Sequence, residues 1–442
     1  MAAPSTSVAN RRWAAPFFTI WTGQAFSLLG SMLVQFGLVW WLTRTTGSAT
    51  VLATSTLAAV LPSIVLGPVV GTLVDRWNRR LVMIVVDSLT ALATAALILL
   101  YAAGVMQVWH VYAILAFRST MGSFHWTAMQ ASTTLMVPDS QLTRVAGLNQ
   151  TLFGVMNIIS PPLGALLLGL LPFEGLLAID VITAMVAVVP LLFIHVPQPV
   201  RVVEAATVQG AGAPGRSTVW MELRIGLRYV WGWPGLLAFL ILAMLVNFVM
   251  TPAFSLMPIL ITKHFGGAAP ELGWLESAWG IGMVAGAVVL SAWGGFRSKV
   301  VTSLTGLIGM GLGLAIVGLT PTALFGMALA GMCLSGFMNP IANGPFNALL
   351  QSSVRPDMQG RVLSLVQSGT SAMVPLSLLV AGPVADALGV QVWYLLGGIV
   401  AVIAGVVAFS VPAIVHLEHN GHTKPTAQEE PPAAPAMEAA LE

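Results

Sequence analysis

Gly71-Thr72-Leu73-Val74-Asp75-Arg76-Trp77-Asn78-Arg79-Arg80 puts four charged side chains into ten residues. Across all 442 residues, Asp, Glu, Lys and Arg together make up only 8%. Apolar runs at 50–74 and 81–103 flank the stretch. Each exceeds the roughly 20 residues a helix needs to cross the hydrocarbon core of a bilayer. The decapeptide therefore reads as a short charged loop between two antiparallel membrane helices, and its basic residues give the membrane side on which it rests.

Working outward, the same alternation recurs along the chain. Twelve spans are predicted, at 15–42, 50–74, 81–103, 109–136, 146–171, 173–195, 236–261, 269–293, 300–319, 322–350, 361–386 and 390–414. The expected fold is an all-α membrane protein whose twelve transmembrane helices form two six-helix pseudo-symmetric bundles, 15–195 and 236–414. A polar segment, 1–14, precedes them. A cytoplasmic linker, 196–235, joins them and contains an amphipathic stretch from Thr218 to Tyr229. The Ala-, Pro- and Glu-rich tail, 415–442, is expected to be disordered. His416, His419 and His422 have a metal-like spacing there, but the composition favours a solvated tail. Apolar residues make up 57% of the chain, whereas a soluble domain keeps about a quarter of its residues charged. A net charge of +2 and the lack of a basic run argue against nucleic acid as a partner. The single cysteine, Cys333, rules out a disulfide framework and a Cys-based metal site. The first apolar run is too long for a signal-peptide core and reads as a span.

Charge placement orients this layout. With the N-terminus in the cytoplasm, one face receives Arg11, Arg12, Arg76, Arg79, Arg80, Arg144, Arg201, Arg216, Arg224, Arg228, Arg297, Lys299, Arg355, Arg361 and Lys424. The other receives Arg44 and Lys263, and Arg118 falls within a span. Insertion follows the positive-inside bias, so both termini are expected in the cytoplasm, with the chain in the inner (cytoplasmic) membrane. The halves also echo one another. Arg144-Val145-x-x-Leu148-x-Gln150 returns as Arg361-Val362-x-x-Leu365-x-Gln367, displaced by 217 residues, and a Pro-Asp pair precedes each copy. Gly67-x-Val69-Val70 has a counterpart in Gly286-x-Val288-Val289. Parallel six-span repeats with a substrate site at the midplane between them are a recurrent transporter design.

Residues 71–80 fit G-x-x-x-D-R-x-x-R-R at every defined position, and so resemble motif A of the major facilitator superfamily. Arg118-x-x-x-Gly122 resembles motif B of its drug–proton antiporters. Ser160-Pro161-Pro162-Leu163-Gly164-Ala165 partly resembles motif C, with Ser160 and Ala165 in place of glycines. Gly23-Gln24, Ser27-x-x-Gly30-Ser31 and Asp180 are similar to the group containing macrolide efflux pumps and the enterobactin siderophore exporter. The resemblance spans about 15–412 and implies proton-driven export of a small molecule. It also implies a gating role for Gly71, Asp75, Arg76, Arg79, Arg80 and Arg361, with Asp75 meeting the start of span eleven in the outward-facing state. The bland alternative is that these charges only set topology.

Arg118 lies deep in span four, where an arginine needs a polar cavity and a partner. Asp87, Asp180 and Glu276 are the candidates, and with Arg118 they form the expected proton-coupling set. A fixed ion pair that only positions helices is the alternative. Asp386, at the end of span eleven, reads as a solvated terminus. Gln24, Ser27, Ser31 and Gln35 share one face of span one, and Asn247 and Thr251 recur at the same rhythm in span seven. With His125 and Gln130 in span four, and Asn339 and Asn343 in span ten, they are the substrate-cavity candidates. Interhelical hydrogen bonding is the competing role for each. The 21 methionines and 14 tryptophans fit an apolar cavity or interfacial belts equally well.

No His-Glu-x-x-His pair or Cys cluster occurs in the spans, so an enzyme is not expected, and neither is a cofactor or metal. The partners implied are a small-molecule substrate, protons and the lipid bilayer, and a monomer suffices because one chain supplies both halves. A uniporter, a lipid or lysophospholipid transporter, and a transporter-derived sensor are the rival readings.

Overall fold

The computed structural model describes residues 13–198, 224, 227–354 and 358–415. The expectations for 1–12, most of the linker, and the tail with His416, His419 and His422 lie outside these residues. Twelve long helices occur among the described residues: α1 (Ala14–Thr46), α2 (Ala49–Val74), α3 (Arg79–Ala102), α4 (Val108–Met136), α5 (Asp139–Leu170) and α6 (Phe173–Phe193), then α7 (Pro234–Ser255), α8 (Ala269–Trp293), α9 (Lys299–Leu319), α10 (Phe325–Ser353), α11 (Gln359–Leu388) and α12 (Gln391–Phe409). Eleven are long and apolar enough to cross a membrane. The exception is α4, which has the length but carries Arg118, His125, Gln130 and a series of Ser and Thr. Its polarity separates it from the other eleven.

The helix ends follow from local chemistry. The side chains of Ser48, Asn78 and Ser298 accept hydrogen bonds from the N–H groups of Val51, Leu81 and Val301 at the starts of α2, α3 and α9. Such caps satisfy donors that a helix N-terminus leaves open. Two spans depart from their predicted limits. Helix α5 begins at Asp139 rather than near 146, because Pro138 supplies an extended N-cap and Asp139 places a carboxylate in the first turn. Arg144 is therefore helical. The seventh span breaks after Ser255 into a single turn, Met257–Ile259, and a π-helical turn, Leu260–His264. Pro258 has no N–H to continue the ladder, which accounts for the interruption.

Packing reproduces the sequence repeat. Helix α1 packs on α5 and α6, α3 on α4 and α6, and α2 on α4. Adding six to each number gives the packing of the second half: α7 on α11 and α12, α9 on α10 and α12, and α8 on α10. Across the divide α5 meets α8 and α2 meets α11, the two contacts that a pseudo-two-fold axis exchanges.

Lipid tails are as apolar as leucine, so close backbone approach must hold such helices together. The α8–α10 seam shows this at Gly286, where an added Cβ would lie 2.0 Å from the Phe337 carbonyl oxygen. Its sequence counterpart Gly67 has nothing within 4 Å of that position. We expect Gly286→Val to lower stability by about 1–3 kcal/mol, the usual cost of overpacking, and Gly67→Val to be close to neutral. Thermal unfolding of the detergent-solubilised protein, followed by intrinsic fluorescence, reads both.

Candidate functional site

A cavity of about 370 Å³ lies within the first bundle. Helix α1 lines it with Gln24, Ser27, Ser31 and Gln35, α3 with Asp87, α4 with Arg118, His125 and Gln130, and α6 with Asp180. The four-residue stripe of α1 thus turns to one space, as its spacing requires.

Two polar clusters form the wall. In the first, Arg118 Nη1 donates to Asp180 Oδ2 at 2.6 Å and Nη2 to Oδ1 at 3.2 Å. Thr94 Oγ1 accepts from Arg118 at 2.7 Å and donates to Asp180 Oδ2 at 2.9 Å, and Ser31 Oγ donates to Oδ1 at 3.2 Å. Both ions are withdrawn from solvent, their side chains 9% and 2% exposed. Of the three acids considered for Arg118, Asp180 is the one it pairs with. The fork matches a carboxylate in two places, and one network joins α1, α3, α4 and α6.

In the second cluster, Gln24 Nε2 donates to Asp87 Oδ2 at 3.0 Å, and His125 Nε2 stands 3.5 Å from Asp87 Oδ1. Gln24 Oε1 and His125 Nε2 are buried without a hydrogen-bond partner among the described residues. No side-chain atom of Arg118, Asp180, Thr94 or Ser31 is buried and unpartnered in this way.

Glu276 stands apart from both. It lines a second cavity of about 440 Å³ between the halves, whose other walls include Gln35, Phe36, Phe254 and Trp279. Gln35 borders both spaces. Asn247, Thr251, Asn339 and Asn343 line neither. Asn247 donates to the Ala243 carbonyl, Thr251 to that of Asn247, and Asn343 to that of Asn339, so each answers its own helix.

The charged loop lies at the end of the bundle that carries the starts of α3, α5 and α11. Arg79 donates to the Ala131 carbonyl at 2.8 Å and to Asp75 at 3.4 Å. Arg80 donates to the Leu191 and Leu192 carbonyls in the last turn of α6, where the helix dipole favours a cation. These contacts knit the first bundle together. Asp75 itself is 70% exposed, and an added Cβ at Gly71 would meet nothing within 4 Å. Arg361 contacts Met358 and forms no hydrogen bond or ion pair with Asp75.

At the opposite end the halves are fastened. Asp386, near the end of α11, accepts from Ser48 Oγ at 2.9 Å, the Ala49 N–H at 2.8 Å, the Thr50 N–H at 2.9 Å and Thr50 Oγ1 at 2.8 Å. A carboxylate of one half therefore caps the first turn of α2 in the other. Asp386 is exposed near the helix end, as expected from sequence, and makes this clasp in addition. Sequence gave no sign of it, because the donors lie more than 330 residues away. Gly382 lets the helices close, since its added Cβ would lie 2.4 Å from Thr50 Cα. Farther in, Ser277 of α8 donates to the Ile158 carbonyl of α5 at 3.0 Å.

Comparison with known proteins agrees with this arrangement. A family model described as Major Facilitator Superfamily matches residues 20–258 and 239–440. Macrolide efflux protein A of Streptococcus pyogenes is 32% identical over 406 residues, spanning 92% of this chain and 98% of that protein. Multidrug efflux pump Tap of Mycolicibacterium fortuitum is 28% identical over 395 residues, covering 86% and 91%. Among solved structures, the nucleoside transporter NupG, a point mutant, superposes with a TM-score of 0.64 at 14% identity, covering 90% of this chain and 99% of that one. A bacterial homologue of the lysosomal transporter Spinster, inward-facing and unoccupied, gives 0.64 at 12% identity, covering 93% and 98%.

Two outcomes follow from the geometry. Asp180→Asn leaves the Arg118 guanidinium buried without its counter-ion and should cost about 3–5 kcal/mol. The paired change Arg118→Met with Asp180→Leu should cost less than either single change, and thermal unfolding of the three proteins ranks them. Asp386→Ala should loosen the fastened end. A cysteine at Thr56, in a Cys333→Ser background, should then react faster with a membrane-impermeant maleimide applied from that side.

Proposed function

Because the chain belongs to the Major Facilitator Superfamily, a family of small-molecule transporters and not enzymes, we propose that it exports a small amphipathic compound across the cytoplasmic membrane in exchange for protons. The cargo is drug-, macrolide- or siderophore-like, and both termini lie in the cytoplasm. Similarity to proteins named for macrolide and multidrug efflux supports the direction and the breadth of cargo.

The observation that carries the proton is the unequal state of the two clusters. A buried carboxylate changes its proton affinity with its surroundings, rising with desolvation and falling beside a cation. Asp180 is held by a guanidinium and two hydroxyls, and it fixes four helices in register. Asp87 has one amide donor and an imidazole at 3.5 Å that forms no hydrogen bond. The proton carrier is therefore the Asp87–His125 pair. A proton arriving there neutralises the carboxylate or charges the ring, and a small displacement of α3 against α4 changes which species is preferred. Arg118 and Asp180 are positioning residues.

Alternating access follows from the two ends of the α2–α11 contact. The Asp386 clasp is made, whereas Asp75 and Arg361 are apart, so this conformation is open toward the cytoplasm. In the outward-open state the clasp releases. Helix α11 then approaches the bare backbone at Gly71, and Asp75 meets the first N–H groups of α11, a contact of about 0.3–1 kcal/mol or somewhat more when partly buried. Arg79 and Arg80 hold the loop to its own bundle while this happens.

Everted vesicles exposed to an external panel of macrolides, dyes and siderophores provide the test. An imposed proton gradient should drive uptake of some of the panel, and a protonophore should abolish it. Asp87→Asn should remove gradient-driven accumulation while downhill exchange persists. A panel on which nothing moves, or movement indifferent to the gradient, overturns the proposal.

A further inference from the structure

The second cavity contains chemistry that proton exchange at Asp87 leaves unused. Among the described residues on its walls, Glu276 is the only charged side chain, and none is Lys, Arg or His. No hydrogen bond or ion pair to Glu276 is formed among the described residues. An acid inside a membrane protein normally faces a partner or a pathway, because an unanswered charge in hydrocarbon is costly. Here it faces a space whose other polar side chains, Gln35, Thr56, Asn157, Ser160 and Ser255, are all uncharged. Met32, Met156, Met257 and Met332 supply polarisable, adaptable walls, and Phe254 and Trp279 supply aromatic surface, their rings in edge contact at 5.7 Å. Trp279 Nε1 is buried without an acceptor. One turn of α8 thus offers a carboxylate and, three residues on, an indole with its N–H unused.

Such a lining selects its ligand. Methionine-rich surfaces accept many apolar shapes. Aromatic faces attract cations. A lone carboxylate rewards a positive charge and repels a negative one.

We propose that the cavity around Glu276 is the cargo-recognition site and that its ligand is a lipophilic molecule carrying one positive charge. Glu276 is the counter-ion, and Trp279 and Phe254 flank the charged group. The site lies inward of the Asp386 clasp, between the halves that alternate, so the occupant is reachable from one side at a time. This assignment names the cargo class for the export reading above and rests on that reading for its physiological role. It also moves Glu276 from the proton-coupling set to the cargo.

The experiment compares two probes of the same shape and opposite charge, tetraphenylphosphonium and tetraphenylborate, by equilibrium binding to the purified full-length protein at fixed pH. The wild type should bind the phosphonium far more tightly than the borate. Glu276→Gln should weaken phosphonium binding about tenfold or more without weakening the borate, which also shows that the variant retains a folded cavity. Glu276→Asp should keep part of the phosphonium affinity. Trp279→Leu, which removes an aromatic face, should also weaken phosphonium binding while leaving the borate unaffected. Unchanged phosphonium affinity in Glu276→Gln, or equal wild-type affinity for the two probes, overturns the assignment even if proton-driven export is intact. Conversely, Glu276-dependent binding in a protein that moves no compound along a proton gradient leaves the site standing and removes the export reading.

Discussion

Inside a membrane, every ion that is kept must be answered by the protein, because the solvent does not answer it. The Arg118–Asp180 network meets that demand with a two-pronged ion pair and hydroxyls from Thr94 and Ser31. Its four helices supply most of the lining of the first cavity, to which α2 adds Ala59 and α5 adds Asn149, Leu152 and Phe153. The pair therefore helps to set the shape of the polar chamber, and its atoms find partners where Gln24 Oε1 and His125 Nε2 do not. The same polarity is what sets α4 apart from the eleven strongly apolar helices.

Between the halves the constraint differs. Two helix pairs, α2–α11 and α5–α8, make the main crossings, and they are equivalent under the internal repeat. Small residues and single polar contacts hold them: Gly382 against Thr50, Asp386 on the first turn of α2, and Ser277 on a carbonyl of α5. Few such bonds need to break for one bundle to rock on the other. Within each bundle, by contrast, seams such as Gly286 against Phe337 leave no room for a methyl group. Rigid halves joined by a sparse divide are the mechanical requirement for alternating access.

Much of this was legible in the sequence, because the signals concerned are local. Apolar run lengths located the helices to within a few residues in most cases, and the periodicity of Gln24, Ser27, Ser31 and Gln35 placed all four on one cavity. What sequence left open has several causes. The partners of Asp386 lie in the opposite half, beyond the reach of any local pattern. Asn247, Thr251, Asn339 and Asn343 looked like cavity residues, but a side chain on a four-residue rhythm can also bond back to its own helix, and three of them do. Arg118 had three acids within plausible reach, and only the tertiary arrangement of α4 against α6 selects among them. The break after Ser255 was carried by Pro258, whose missing N–H left the apolar run unchanged.

Gln35 is shared by the two chambers, one wall belonging to the ionisable cluster and the other to Glu276. A residue on a common partition cannot adjust to one tenant without altering the room of the other. Thermodynamic reciprocity then applies: whatever filling one compartment does to the affinity of its neighbour, filling the neighbour does in return, by the same factor. Coupling between two such compartments needs no long wire through the fold when one amide borders both.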